Sequence, residues 1–254
     1  MEDLPTSPDD PRLDGWYHTI DLGNGLLPKA RFDHRSIVDC YDIPKSLKGK
    51  TVLDVATADG FFAFEMERRG ADRVVAMDVA RLGDCDWVPR MKVQIGAIYD
   101  NSSWPARFRL AHAMRNSKVE YKPCSVYDLS PYTVGTFDIV FCGDLLLHLQ
   151  HPMAALHAIR SVTRDMAIIE TVLDPSLEEA FPGQPILRFG YPGEEVQAGE
   201  NNSYWMFTTS ALQKMLAYAD FPDTEPQGSF LLPPTGPTGT AVVAYTRVRD
   251  QAAG

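Results

Sequence analysis

Cysteine is scarce in this sequence of 254 residues. The 4 cysteines, Cys40, Cys85, Cys124 and Cys142, are scattered, and no two of them form a Cys-x-x-Cys pair. This spacing disfavours both a zinc site and a disulfide framework, so the sequence predicts no bound metal. We expect reduced and mostly buried thiols, as in a cytoplasmic protein.

Positive charge and long apolar runs are also scarce. The chain has 24 Lys and Arg against 34 Asp and Glu, which gives a net charge of −10. Affinity for a phosphate backbone depends on clustered basic side chains, so this balance disfavours a nucleic acid as the main partner. No apolar run approaches the ~18 residues that span a bilayer, and the acidic, proline-rich start lacks the pattern of a signal peptide. We therefore expect a globular protein that contacts no membrane.

The sequence does contain an alternation of apolar strand patterns and helix patterns. The core strands are predicted at 51–55, 73–78, 119–123, 137–142 and 166–172. Helix patterns lie between most of these strands, and a further helix and strand follow near the end of the chain. Strands that alternate with helices predict an α/β fold, with a mostly parallel sheet and helices on both faces.

The same pattern predicts how the chain is organised. Residues 1–14 are expected to be disordered, and residues 15–46 to form a lid or cap ahead of a core at 47–250. Two long interruptions of that core, 81–105 and 174–204, are predicted to be lids or substrate walls. The reason is that loops of this length are uncommon unless they cover a site.

The first core strand leads into a tight turn without the GxGxxG glycines of dinucleotide sites. The turn consists of Ala56, Thr57, Ala58, Asp59 and Gly60. Small residues let the backbone approach a ligand, and the N-terminus of the next helix offers free N–H groups. The Asp59 carboxylate would repel a pyrophosphate but suits a ligand with an amino group and a sulfonium, and Asp54 favours the same interpretation. The alternative is that Asp59 is only a helix N-cap.

The second strand ends in an acid, and the third is followed by a polar loop. An acid at the carboxyl end of a parallel strand faces the ligand crevice, so Asp78, with the adjoining Val79, is predicted to hold a ribose. The alternative is a solvated loop acid. Ser125, Val126 and Tyr127 follow the third strand and are predicted to contact the base of a bound nucleoside, although Tyr127 is equally compatible with a core aromatic.

The fourth strand and its loop, FDIVFCGDLLLHLQHP, carry the candidate catalytic groups. The backbone of Cys142 and Gly143 is predicted to face the cofactor. Asp144 and His148 are spaced by one helical turn and can share a face, and His148 is a candidate to accept a proton from the substrate. His151 is a candidate substrate contact. The alternative for either histidine is a helix cap or packing on the sheet.

Two aromatic segments complete the set of candidates. Trp16, Tyr17 and His18 precede the core and are predicted to fold over the mouth of the site, with His18 a further catalytic candidate. Asn202 and Trp205 are predicted to line a substrate pocket. The alternatives are simple docking of the first segment on the core and burial of Trp205 as a core plug.

Taken together, these motifs resemble the class I S-adenosylmethionine-dependent methyltransferases over about residues 47–172. VLDVATADG stands where the family has VLDxGxGxG, SVYDL where it has the adenine loop, and FDIVFCGDLLLHLQHP at its fourth strand and following helix. WYHTIDLGNG, IIETV and WMFTTSALQKML extend the resemblance to the branch with the tRNA wobble-uridine carboxymethyltransferases. The alanines at positions 56 and 58, where the family has glycines, are the main departure.

The resemblance implies a Rossmann-like fold with a mostly parallel seven-stranded sheet, and S-adenosylmethionine as cofactor with S-adenosylhomocysteine as product. It implies methyl transfer to an O, N or C nucleophile, and the acidic composition favours a small-molecule acceptor, for example a natural-product intermediate. A tRNA-modifying (carboxy)methyltransferase and a cofactor-binding protein without transfer activity remain open alternatives, as does a homodimer.

Overall fold

The computed structural model describes residues 3–89, 92–93, 105–190, 203–221, 223–231 and 240–247. The strands are β1 Asp14–His18, β2 Lys29–Phe32, β3 Thr51–Val55, β4 Arg73–Asp78, β5 Glu120–Pro123, β6 Phe137–Cys142, β7 Thr163–Leu173, β8 Leu187–Phe189, β9 Trp205–Phe207, β10 Asp223–Leu231 and β11 Thr240–Arg247. The α-helices are α1 Phe61–Arg68, α2 Ala106–Arg115, α3 Pro152–Val162, α4 Pro175–Ala180 and α5 Thr209–Tyr218.

Seven of these strands form one continuous path through the main sheet, in the order β10-β11-β7-β6-β3-β4-β5. The strands from β5 to β7 are parallel, while β11 runs antiparallel to β7 and β10 antiparallel to β11. The predicted mostly parallel seven-stranded sheet is therefore confirmed. Strands β8 and β9 lie off this path, and β9 joins it at β7 through the pair Leu173 and Phe207.

The two faces of the sheet are covered by different elements. Helices α3 and α5 pack on one face, with Leu156 and Leu212 fully buried against the sheet. Helices α1 and α2 and the N-terminal segment pack on the other, where Phe64 and Phe108 stack with ring centroids 5.3 Å apart. Because both faces are covered, strands such as TVLDV and FDIVFC are almost continuously apolar. Each buried aromatic or leucine contributes about 2 kcal/mol of hydrophobic stabilisation.

The N-terminal segment differs from the prediction. A 3-10 helix covers Pro11–Leu13, and Leu13 is fully buried in the core on the α1 side of the sheet. This stretch of the predicted disordered segment 1–14 is therefore helical and anchored by a large apolar side chain, and the disorder of the segment as a whole stays a prediction. The following segment contains the short parallel pair of β1 and β2, a regularity that its glycines and mixed composition hid.

The described parts of the two interruptions are ordered as well. The first begins with a 3-10 helix, Leu82–Asp84, and the second contains α4 and β8. Their role as lids or substrate walls stays a prediction. Within the described ranges, no helix has both the length and the apolar character to cross a membrane.

Candidate functional site

The turn after β3 is built from left-handed backbone. Ala56 and Ala58 have φ of 61° and 48°, and Gly60 has φ of 97°. A Cβ on Gly60 would lie 2.6 Å from the Phe64 ring and 2.7 Å from the Phe108 ring, so only glycine fits. Alanine at a left-handed position costs about 1–2 kcal/mol. The sequence therefore keeps the glycine-type geometry of this turn without two of the usual glycines.

Asp54 supports this turn from beneath. It is 2% exposed, and its Oδ2 accepts a hydrogen bond of 2.6 Å from the Thr57 hydroxyl. Burial raises the pKa of Asp54 to about 7, against the lowering effect of the Thr57 hydrogen bond. The carboxylate therefore holds the shape of the turn, and the prediction that it contacts a ligand directly stays untested.

Asp59 has partners that the sequence did not reveal. Its Oδ2 accepts the backbone N–H groups of Tyr17 and His18, the latter at 3.1 Å. The alternative interpretation as an N-cap is wrong, because Gly60 occupies that position and no side chain caps the helix. Burial raises the pKa of Asp59, and the two N–H groups oppose that shift. These two hydrogen bonds to Asp59 hold the backbone of the N-terminal segment against the turn.

The acid at the end of β4 links two neighbouring loops. Asp78 Oδ2 accepts the N–H of Ala58 at 2.8 Å, and its Oδ1 accepts the N–H of Val79 at 2.7 Å. Asp78 is buried against the turn and is not a solvated loop acid. The structure therefore brings the turn and the predicted ribose acid together at the carboxyl edge of β3 and β4.

The loop after β5 forms a 3-10 helix, Val126–Asp128, which the Ser125 side chain caps. Val126 is buried, and the Tyr127 hydroxyl donates to Asp86 Oδ2 at 2.6 Å. The same Tyr127 oxygen accepts the N–H of His151 at 3.2 Å. Tyr127 and His151, both predicted as site residues, are therefore joined to each other and to an acid that the sequence did not single out.

That acid, Asp86, connects several loops at the same edge of the sheet. Besides Tyr127, it accepts the backbone N–H and the side-chain amide of Gln150, each at 2.7 Å. Its backbone carbonyl accepts the Tyr204 hydroxyl at 2.7 Å. The described start of the first interruption is thus hydrogen-bonded to the loops after β5 and β6. Asp86 carries no motif, so no local sequence signal identifies it.

The loop after β6 holds the candidate catalytic groups. Asp144 has φ of 50°, and its N–H donates to the carbonyl of Glu170 in β7 at 3.1 Å. His148 ends the 3-10 helix Leu146–His148 and lies close enough to lower the pKa of Asp144, which burial raises. The thiol of Cys142 is fully buried, and burial raises its pKa. Asp144 and His148 are brought together, as predicted, and Glu170 is a neighbour that the sequence analysis missed.

The N-terminal aromatics occupy different environments. Trp16 is 1% exposed in the core, and its indole N–H donates to the Arg12 carbonyl at 2.8 Å, as in the alternative of docking on the core. Its predicted role as a substrate contact stays a prediction. His18 is buried against Phe61 and His34, and its Nδ1 has no hydrogen-bond partner among the described residues. This environment agrees with packing on the core, and the candidate catalytic role of His18 stays a prediction. Tyr17 is half-buried and stays a candidate.

The second aromatic segment is only partly described. Trp205 donates its indole N–H to the Leu149 carbonyl at 2.9 Å and packs edge-on against Phe189, with ring centroids 5.1 Å apart. It is half-buried, so its predicted place on a pocket wall stays a prediction. Asn202 lies outside the described residues.

Comparison with known proteins agrees with this geometry. The family model described as a methyltransferase domain matches residues 95–169. A tRNA U34 carboxymethyltransferase of Helicobacter acinonychis is 27% identical over 139 residues, which are 52% of this chain and 46% of that enzyme. A ubiquinone biosynthesis O-methyltransferase of Neisseria meningitidis is 30% identical over 129 residues, which are 50% of this chain and 45% of that enzyme. The chain thus matches less than half the length of these relatives.

A solved structure gives the same fold. The magnesium protoporphyrin IX methyltransferase of Synechocystis with bound S-adenosylhomocysteine superposes with a TM-score of 0.54 at 13% identity. The match covers 84% of this chain and 81% of that one. At this identity the likeness shows the fold, which is the Rossmann-like class I fold that the sequence predicts.

Proposed function

We propose that this chain, which belongs to the class I S-adenosylmethionine-dependent methyltransferases, moves a methyl group to an O, N or C nucleophile of a small molecule. The main observation behind the proposal is that the loops after β3 and β4 are hydrogen-bonded to each other. There the left-handed turn donates the Ala58 N–H to Asp78 at 2.8 Å. A tight turn and a strand-end acid at one carboxyl edge form the crevice in which such sheets bind nucleosides.

The residues at this edge fit the cofactor. The turn from Ala56 to Gly60 and the N–H groups at the start of α1 would hold the methionine portion. Asp78 would hold the ribose, and the 3-10 helix Val126–Asp128 would lie against the adenine. When bound, S-adenosylmethionine supplies an activated methyl group on its sulfonium. The protein's task is then mainly to align an acceptor with that group.

His148 is the candidate base of the reaction. It lies close enough to Asp144 for the imidazole to oppose the burial that raises the pKa of that carboxyl group, and both residues follow β6 at the edge where the other loops converge. A histidine in this position accepts a proton from a hydroxyl or amine as the nucleophile attacks. Replacing His148 with Ala should lower turnover of any accepted substrate at least about tenfold and leave affinity for S-adenosylhomocysteine intact. Unchanged turnover would remove the assignment.

A small-molecule acceptor is favoured over tRNA by the charge of the chain. The net charge of −10 opposes the binding of a polyanion. The tRNA U34 carboxymethyltransferase relative keeps a tRNA substrate as the second candidate. A role in natural-product synthesis, a cytoplasmic location and a homodimer belong to the same proposal.

Calorimetry with S-adenosylhomocysteine tests the proposal. We expect the wild type to bind, and Asp78→Ala to lose about tenfold or more in affinity because a charge-assisted contact to the ribose disappears. Asp165→Ala is a matched control. Asp165 forms a partly exposed ion pair with Lys50 near the start of β7, at the opposite end of the parallel strands from this edge. A wild type that does not bind S-adenosylhomocysteine would overturn the proposal. Binding without transfer to any acceptor would favour the cofactor-binding protein without activity.

A further inference from the structure

Two carboxyl groups beside the candidate base each have one buried oxygen without a hydrogen-bond donor among the described residues. Glu170 in β7 is 1% exposed, and its Oε1 has no hydrogen-bond partner among the described residues. The same holds for Oδ1 of Asp144. The N–H of Asp144 donates to the Glu170 carbonyl at 3.1 Å, so Asp144, in the loop after β6, lies beside Glu170 in the neighbouring strand β7. The hydrogen bonds of the fold therefore do not explain why these two neighbouring residues each bury a carboxyl oxygen.

Glu170 lies on the face of the sheet that the N-terminal segment, residues 15–46, covers. Side chains alternate along a strand, so Glu170 shares a face with Ile168, which packs in the same core as Tyr41. A Cβ on Gly143 would lie 3.3 Å from Glu170 Oε2, so the missing side chain there leaves room for the carboxyl group. The carboxyl groups of Asp144 and Glu170 also raise the pKa of the Tyr17 phenol, beyond the effect of its burial. Both acids therefore lie near aromatic rings of this N-terminal segment.

Burying these two carboxyl oxygens without donors is costly, and either a proton or a cation offsets the cost. An unpaired buried carboxylate destabilises the fold by several kcal/mol unless it takes up a proton or meets a positive group. Arg31 and His148 lie near Asp144, but neither donates to the two unpartnered oxygens. Within the described ranges, no three metal-ligating side chains cluster as a metal site would require. Burial raises the pKa of both carboxyl groups, so a proton offsets part of this cost when no ligand is bound. A bound partner with the chemistry of an organic cation would replace that proton, and the aromatic rings nearby favour one.

We propose that Asp144 and Glu170 form a subsite for a protonated amine of the acceptor, next to the rings of Tyr17 and Tyr41. This inference rests on the proposed function and narrows it, because it assigns the acceptor to the class of basic amines. The ammonium is a recognition group whose three N–H donors satisfy both carboxyl groups. The atom that accepts the methyl group lies elsewhere on the same molecule, within reach of His148.

Three matched probes test this subsite: benzylamine, benzyl alcohol and benzoate, titrated into the protein saturated with S-adenosylhomocysteine. The wild type should bind benzylamine at least about tenfold tighter than benzyl alcohol, and benzoate weakest, because a charge-assisted pair is lost or reversed. Glu170→Gln and Asp144→Asn should each lower benzylamine affinity about tenfold and leave benzyl alcohol within about twofold. Asparagine tolerates the left-handed backbone at position 144. Glu120→Gln, at an exposed ion pair with Arg73, is the matched control and should change nothing.

The outcomes separate this inference from the proposed function. If S-adenosylhomocysteine does not bind the wild type, the proposed function fails. If it binds but benzylamine shows no preference, or no binding at all, only the amine subsite fails. Unchanged benzylamine affinity in both variants overturns the subsite as well. A loss of S-adenosylhomocysteine affinity in Glu170→Gln that matches the loss for benzylamine would assign the pair to the cofactor and also overturn the inference.

Discussion

Ala58 adopts a backbone conformation that suits glycine better. Its φ of 48° lies in the left-handed region, while its N–H is held by Asp78. Replacing Ala58 with Gly removes the steric cost of left-handed backbone, about 1–2 kcal/mol, from the folded state. It also raises the conformational entropy of the unfolded chain, which favours unfolding by about 0.5–1 kcal/mol. We expect a net gain of about 0.5–1 kcal/mol in the free energy of unfolding, measured by urea denaturation. Affinity for S-adenosylhomocysteine should stay within about twofold.

The control for this prediction is an alanine in ordinary helix. Ala63 is fully buried inside α1, so Ala63→Gly should destabilise the protein by about 1 kcal/mol or more. If Ala58→Gly destabilises as much as Ala63→Gly, the left-handed turn is not the native geometry.

His34 is a second residue whose environment makes a measurable prediction. Neither ring nitrogen has a hydrogen-bond partner among the described residues, and the ring packs against Phe62 and Tyr41. Burial lowers the pKa of His34 from 6.5 to about 4. Below pH 6.5 the unfolded chain therefore binds a proton that the folded protein does not, and stability falls as the pH drops toward 4. At pH 5 the loss from this group is about 2 kcal/mol relative to pH 7.

Substitution of His34 by Phe isolates this effect. Phenylalanine fills a similar space among aromatic rings, so the variant should lose about 2 kcal/mol less than the wild type between pH 7 and pH 5 in urea denaturation. His157 lies exposed on α3, and His157→Gln should keep the wild-type pH dependence. Equal pH dependence in His34→Phe and the wild type would show that His34 is not buried in its neutral form.

At the scale of elements, Asp86 holds together loops that are far apart in sequence. It accepts hydrogen bonds from Tyr127 and from both N–H groups of Gln150. Asp86→Ala leaves these donors without an acceptor, which should cost about 2–3 kcal/mol in the free energy of unfolding. Hydrogen exchange should accelerate in the 3-10 helix Val126–Asp128 and at Gln150, while the central strands stay protected.

A neighbouring acid provides the control. Asp84 is paired with Arg81 on the surface and has no other salt bridge among the described residues, so Asp84→Ala should change stability by less than about 1 kcal/mol. Faster exchange spread evenly over the sheet in Asp86→Ala would mean that Asp86 supports the whole fold and not these loops.

The elements were predictable to the degree that their signals are local. The apolar runs of β3 and β6 and the acid after β4 are continuous in sequence, and the structure has them where the patterns indicate. Contacts between distant segments have no such signal. Asp59 binds the backbone of Tyr17, which gives no side-chain pattern to read. The burial of Trp16 in the core was unpredictable for the related reason that an aromatic before a core is equally compatible with a lid and with core packing.

At the scale of the whole molecule, the order of strands determines which loops meet. Because β3, β4, β5 and β6 are parallel and adjacent along one path, their carboxyl ends lie at one edge. The alternation of strands and helices in the sequence was enough to predict this arrangement. It was not enough to predict the role of Glu170, because this acid meets Asp144 only once β7 pairs with β6, the strand that leads into the Asp144 loop.

The acidic character of the whole chain gives the last prediction. With 24 basic against 34 acidic side chains, the protein should not compete for a phosphate backbone at physiological salt. In a gel shift with bulk tRNA at about 150 mM salt we expect no complex up to about 10 μM protein, and only weak retention at low salt, because non-specific affinity falls steeply with salt. A basic protein such as cytochrome c serves as the positive control at low salt. A tRNA complex that forms at about 1 μM protein and persists at 150 mM salt would mean a local basic surface outweighs the net charge, and tRNA would replace the small molecule as the favoured acceptor.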